Sequence, residues 1–123
     1  MCSVDLTSSD NRCKIYVNGT EQAFSTAVPS SDVDSELNAD GVVVGLGQTS
    51  NAAYSNGYLS SFFWVDGQAL PATTFGNSYE GKWGPLDSAT VITNVGDFGP
   101  NGFFLPFDIA AIGVNYSQYL SGA

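Results

Sequence analysis

Asp32, Asp34 and Glu36 alternate in the run Asp32-Val33-Asp34-Ser35-Glu36, the one stretch whose spacing suits paired catalytic carboxylates. On an extended strand all three would share one face. One carboxyl could then protonate a leaving group while another attacks, as retaining glycoside hydrolysis requires. The surroundings argue against this. No aromatic residue flanks the run, which falls in a Ser-rich stretch between expected strands, so it reads as a solvated acidic loop. With Asp40, the same carboxylates could hold calcium, which takes several oxygen ligands from flexible loops. The EF-hand pattern fails after its first acidic positions, because Leu37 stands where the turn glycine belongs.

Other reactive groups are few. The chain has no histidine and no Cys-x-x-Cys spacing, which excludes the usual zinc arrangements. Cys2 and Cys13 flank the polar segment Thr7-Ser8-Ser9-Asp10-Asn11. If the flanking segments pair as antiparallel strands, the two thiols could face each other and form a disulfide. With no signal peptide, reduced cysteines acting as small hydrophobes are the favoured expectation. Gly45-x-Gly47 lacks the third glycine and following helix of a dinucleotide site. Asn18-Gly19-Thr20 and Asn115-Tyr116-Ser117 match the glycosylation triplet, but without an export signal neither is expected to be modified.

Three basic residues oppose twelve acidic ones, for a net charge of −9. Nucleic acid and anionic membranes are poor partners for such a surface, because both are held by clustered Lys and Arg. No stretch approaches the roughly 20 apolar residues of a spanning helix. Met1-Cys2-Ser3-Val4-Asp5 has neither the basic nor the apolar region of a signal peptide. At 123 residues the chain is expected to hold at most one domain.

The elements that must position any site read as short strands punctuated by Gly, Asn, Asp and Ser, the pattern of an antiparallel sandwich. Asn18-Gly19, between Lys14–Val17 and Thr20–Phe24, predicts a hairpin closed by a type I′ turn, which needs positive φ at both central residues. Strands are expected near Cys2–Leu6, Arg12–Val17, Thr20–Ser25, Val42–Gly47 and Gly57–Val65. Gly57–Val65 would carry Tyr58, Ser60, Phe62 and Trp64 on one face and Leu59, Ser61, Phe63 and Val65 on the other. Both faces are largely apolar, so this strand is expected to be central and covered on both sides. Pro71–Phe75 suits one helical turn, with Pro71 at its start. Residues 1–75 are expected to form the sandwich core. Residues 76–123 are expected to form a loop-rich extension or arm, packed on the core or on a neighbouring subunit. Within it, Pro106 argues against a central strand in Phe103–Phe107.

The order Lys14-Ile15-Tyr16-Val17-Asn18-Gly19, Val42–Gly47, Gly57-Tyr58-Leu59, Val65-Asp66-Gly67-Gln68-Ala69-Leu70 and Thr74-Phe75-Gly76 resembles the concanavalin A-like (laminin G-like) jelly-roll domains. It looks closest to those of tailed-bacteriophage structural proteins. Lys82-Trp83-Gly84-Pro85 and Asn101-Gly102-Phe103-Phe104-Leu105-Pro106-Phe107 follow in the same order. The resemblance implies an all-β fold, an antiparallel jelly-roll sandwich shortened to its later half and carrying an extended C-terminal arm. Half a sandwich leaves an apolar face and a sheet edge to be covered, so an assembly is expected.

The same resemblance implies uses for particular residues. Exposed aromatics of this fold stack on sugar rings, making Trp83, Tyr54, Tyr58 and Trp64 carbohydrate or interface candidates. Core packing competes for each. It is favoured for Trp64, inside an apolar strand, whereas Trp83, bracketed by Gly81-Lys82 and Gly84-Pro85, is the better ligand or interface residue. Laminin G-like domains often bind calcium through acidic loops, here Asp32, Asp34, Glu36 and Asp40. Laminarinase-type hydrolases share the fold, but their Glu-x-Asp-x-x-Glu motif is not reproduced: Asp32 replaces the first Glu, and Glu36 comes one residue early.

The expected function is therefore non-enzymatic. It is that of a structural virion protein, a capsid decoration or tail-associated subunit, assembled in the host cytoplasm and acting through protein contacts. No cofactor other than calcium is expected. A carbohydrate-binding module for host attachment is the second expectation, and a glycoside hydrolase a remote third.

Overall fold

The computed structural model describes residues 1–5, 7, 12–23, 46, 48–49 and 53–107. Strands are their main regular structure, with one α-helix among them. β1 (Cys2–Val4), β2 (Cys13–Val17) and β3 (Thr20–Gln22) form an antiparallel sheet in sequence order. Asn18 and Gly19 both have positive φ, 50° and 74°, and Val17 pairs with Thr20 across them. The turn is the two-residue hairpin that its residue types dictate.

β4 (Gln48–Thr49) and β5 (Ala53–Tyr54) make a short second pair. The expected strand at Val42–Gly47 lies outside the described residues, apart from a bend at Leu46.

β6 is Phe62–Trp64, much shorter than the strand expected from Gly57. Ser61 has φ 52°, a left-handed conformation that breaks extended backbone, so Gly57–Ser60 stay out of the strand. Among the described residues β6 has a single neighbour, β9 (Phe103–Leu105), paired Phe62 to Leu105, Phe63 to Phe104 and Trp64 to Phe103. β9 stops immediately before Pro106, which cannot donate to a ladder.

Pro71 leads into a single 3-10 turn at Ala72–Thr74, held by Thr74 and Phe75 donating to the carbonyls of Pro71 and Ala72. β7 (Gly76–Tyr79) and β8 (Lys82–Pro85) then form a hairpin around Glu80-Gly81. Both turn residues have positive φ, 49° and 75°, repeating the Asn18-Gly19 geometry.

Helix α1 spans Ser88–Val95, in a region where the sequence reading contained none. Its interior, Thr90-Val91-Ile92-Thr93, is β-branched and weak in helix propensity. The ends compensate. The Asp87 carboxylate accepts from the Thr90 amide at 2.9 Å and from its hydroxyl at 2.6 Å, an N-cap satisfying a free donor of the first turn. At the other end Gly96, φ 71°, donates to the Ile92 carbonyl, a glycine C-cap. Burial of Val91 and Val95, one turn apart on the inner face, does the rest.

The cap carries a pH prediction. The Thr90 side-chain bond first, and the Thr90 amide second, hold the Asp87 carboxyl below its ordinary range. A depressed folded-state pKa means the contribution is present above the unfolded carboxylate range and lost as pH falls through the folded value. Asp87→Ala should therefore melt below wild type at neutral pH, with the gap in Tm closing on acidification. A gap independent of pH would refute the charged cap.

Val91, Val95 and Phe98 are the centre of the core, with Phe63, Val65, Leu70, Phe75, Leu86 and Ile92 packed around them. These residues come from both sides of position 75, because β6, the 3-10 turn, α1 and β9 are packed together. Residues 76–107 thus supply a hairpin, a helix and a strand. Residues 108–123 lie outside the described set.

Candidate interaction surface

Three groups of described residues carry the features singled out in the sequence: the N-terminal sheet, the Trp83 contact and the aromatic pair of strands β6–β9.

The sheet β1–β2–β3 has two faces of different character. Alternation and register place Cys2, Val4, Cys13, Ile15, Val17, Thr20 and Gln22 on one face. Ser3, Lys14, Tyr16 and Glu21 occupy the other, where the Tyr16 hydroxyl lies 3.4 Å from the Glu21 carboxylate. On the first face Val4 is 41%, Ile15 38% and Val17 54% exposed. Adjacent exposed aliphatics on a small sheet suit a contact with another apolar surface. β1 and β2 pair as expected, and both cysteines carry free thiols, Cys2 exposed and Cys13 half-buried.

Trp83 is half-buried, not displayed. A Cβ built on Gly19 would clash with the Cε3, Cδ2 and Cζ3 atoms of its ring, and one on Gly76 would lie 2.7 Å from its Cζ2 atom. The indole therefore lies against the backbone of two glycines, one in the β2–β3 turn and one opening β7. That contact ties the N-terminal hairpin to β7–β8. Its sequence signal was split between distant glycines, which is why the flanking glycines alone suggested a ligand platform.

Trp64 also packs internally, though away from the main cluster. Its ring stacks on Phe103 at 6.1 Å and 5°, and on Phe62 at 6.5 Å. The opposite side of the strand pair stacks Phe63 on Phe104 at 4.5 Å and turns them toward Phe75. Both are offset or stacked geometries that favour aromatic pairs beyond their area. Tyr54 lies in β5. Tyr58 is fully exposed, at 105%.

Asp32, Asp34, Glu36 and Asp40 all lie outside the described residues. Among the described residues, no group of three or more His, Cys, Asp or Glu side chains could hold a metal ion. Polar groups of the segments 66–68 and 97–101 meet through structure, not spacing. Asn101 donates to the Asp66 carboxylate at 3.0 Å, the Asp66 amide donates to the Phe98 carbonyl at 2.9 Å, and Gln68 donates to the Asp97 carbonyl. These bonds fasten the Asp66-Gly67 turn to the segment after α1, a structural use of polar groups the sequence reading did not identify. No described helix is long and apolar enough to cross a membrane.

No family model matches this chain, and no curated protein or solved structure is found to be similar to it.

Proposed function

We propose that the chain is a non-enzymatic structural subunit of a phage-like particle, a capsid decoration or tail-associated protein built on a jelly-roll sandwich. The observation that carries the contact role is the exposed aliphatic face of Val4, Ile15 and Val17, which favours association with another protein surface. The particle and the jelly roll rest on the resemblance in the order of sequence elements. A charge of −9 suits an outward-facing soluble layer.

On this reading, size-exclusion chromatography with light scattering gives an oligomer, and Val17→Lys shifts it to monomer. A wild-type monomer whose urea melt is independent of protein concentration would defeat the assembly reading.

Tyr58 favours a second reading, a carbohydrate-binding module, because a fully exposed aromatic is available for stacking on a sugar face. Binding on a glycan array that Tyr58→Ala abolishes would move the weight there.

A further inference from the structure

We propose that Cys2 and Cys13 form a modification site, a cross-strand dithiol that a small-molecule disulfide converts to an intramolecular disulfide fastening β1 to β2. The register supplies the geometry. Met1 and Tyr16 exchange both backbone hydrogen bonds at 2.8 Å. The next positions, Cys2 opposite Ile15 and Val4 opposite Cys13, are therefore non-hydrogen-bonded pairs, in which side chains approach most closely. Cys2 and Cys13 are diagonal neighbours on this one face, at a spacing of about 7–8 Å between Cα atoms, so closing the bond takes a small shift of β1 against β2. The thiols are near enough for Cys13 to act on Cys2 electrostatically.

Burial, and the neighbouring Cys13 after it, hold the Cys2 thiol above its ordinary range, so exchange is favoured by mildly alkaline conditions that raise the thiolate fraction. Cys2 is nevertheless exposed at the surface, where a small reagent can reach it.

The chemistry balances in two exchanges. The Cys2 thiolate attacks one sulfur of the small disulfide, whose S–S bond breaks and releases one thiol. The Cys13 thiolate then attacks the Cys2 sulfur of the mixed disulfide, forming the Cys2–Cys13 bond and expelling the second thiol. The protein is oxidised by two electrons and the reagent is reduced by two. The two protein protons end on the two released thiols.

The test uses the whole chain with oxidised glutathione at mildly alkaline pH, followed by denaturing alkylation and intact mass. The expected product has lost two hydrogens, takes up no alkylating agent, and melts at higher temperature than the reduced protein. Cys2→Ser and Cys13→Ser should each stop at a single glutathione adduct. Ring closure should be roughly tenfold or more faster in the native protein than in urea, because the sheet orients the thiols. Equal rates would mean that chain proximity alone closes the ring, which would overturn the proposal. Two glutathione adducts, two alkylatable thiols or a disulfide-linked dimer from wild type would overturn it as well.

Discussion

Gly102→Ala is expected to cost about 3 kcal/mol or more, enough to remove much of the stability of a small domain. Gly102 is buried between α1 and β9. A methyl group there would lie 2.6 Å from both the carbonyl carbon and the Cβ of Phe98, and closer still to the Phe98 carbonyl oxygen. The obstruction is backbone, so no rotamer change relieves it. That carbonyl accepts the Asp66 amide at 2.9 Å. Moving it away from a new methyl breaks the link between the end of β6 and the segment after α1. Gly57→Ala is the matched control, because nothing lies within 4 Å of a Cβ there, and it should stay within about 0.5 kcal/mol of wild type. Urea denaturation of the three proteins decides the matter. A Gly102→Ala midpoint equal to that of Gly57→Ala would show that the 98–102 turn yields freely.

Phe98→Ala is the second large effect, at about 3–5 kcal/mol. Phe98 is 1% exposed and packs with Val91 and Val95. Truncation removes a ring from the point where α1 meets the residues contributed by β6 and the 3-10 turn. The cost combines lost transfer energy with the cavity left behind, since packed neighbours collapse only in part. Phe98→Leu keeps most of the volume and should lose well under half as much. The order wild type, Leu, Ala in urea midpoint is the expected result. An Ala variant within about 1 kcal/mol of wild type would mean that this cluster does not govern unfolding.

The parts of the fold legible in the sequence are those fixed by local chemistry. Asn18-Gly19 specified its turn because positive φ at two successive residues admits few alternatives. Pro71 marked its helical turn for an equally local reason, whereas Pro106, which argued against a central strand in Phe103–Phe107, follows strand β9 without preventing it. Helix α1 was not legible, because its β-branched interior speaks for strand while only Asp87 and Gly96 speak for helix. The apolar runs Phe62–Trp64 and Phe103–Leu105 were plain, but their pairing was not, since register between remote strands is set by packing. The same limit applies to Trp83. Its glycine neighbours in sequence suggested exposure, whereas the glycines that matter, Gly19 and Gly76, meet it only in three dimensions.

The indole of Trp83 gives the molecule a built-in optical probe. The chain has two tryptophans, and they occupy different surroundings. Trp64 lies among the phenyl rings of Phe62 and Phe103, whereas Trp83 lies on bare peptide planes at Gly19 and Gly76. With Trp64 replaced by Phe, fluorescence follows one event alone, the seating of the first hairpin upon the second.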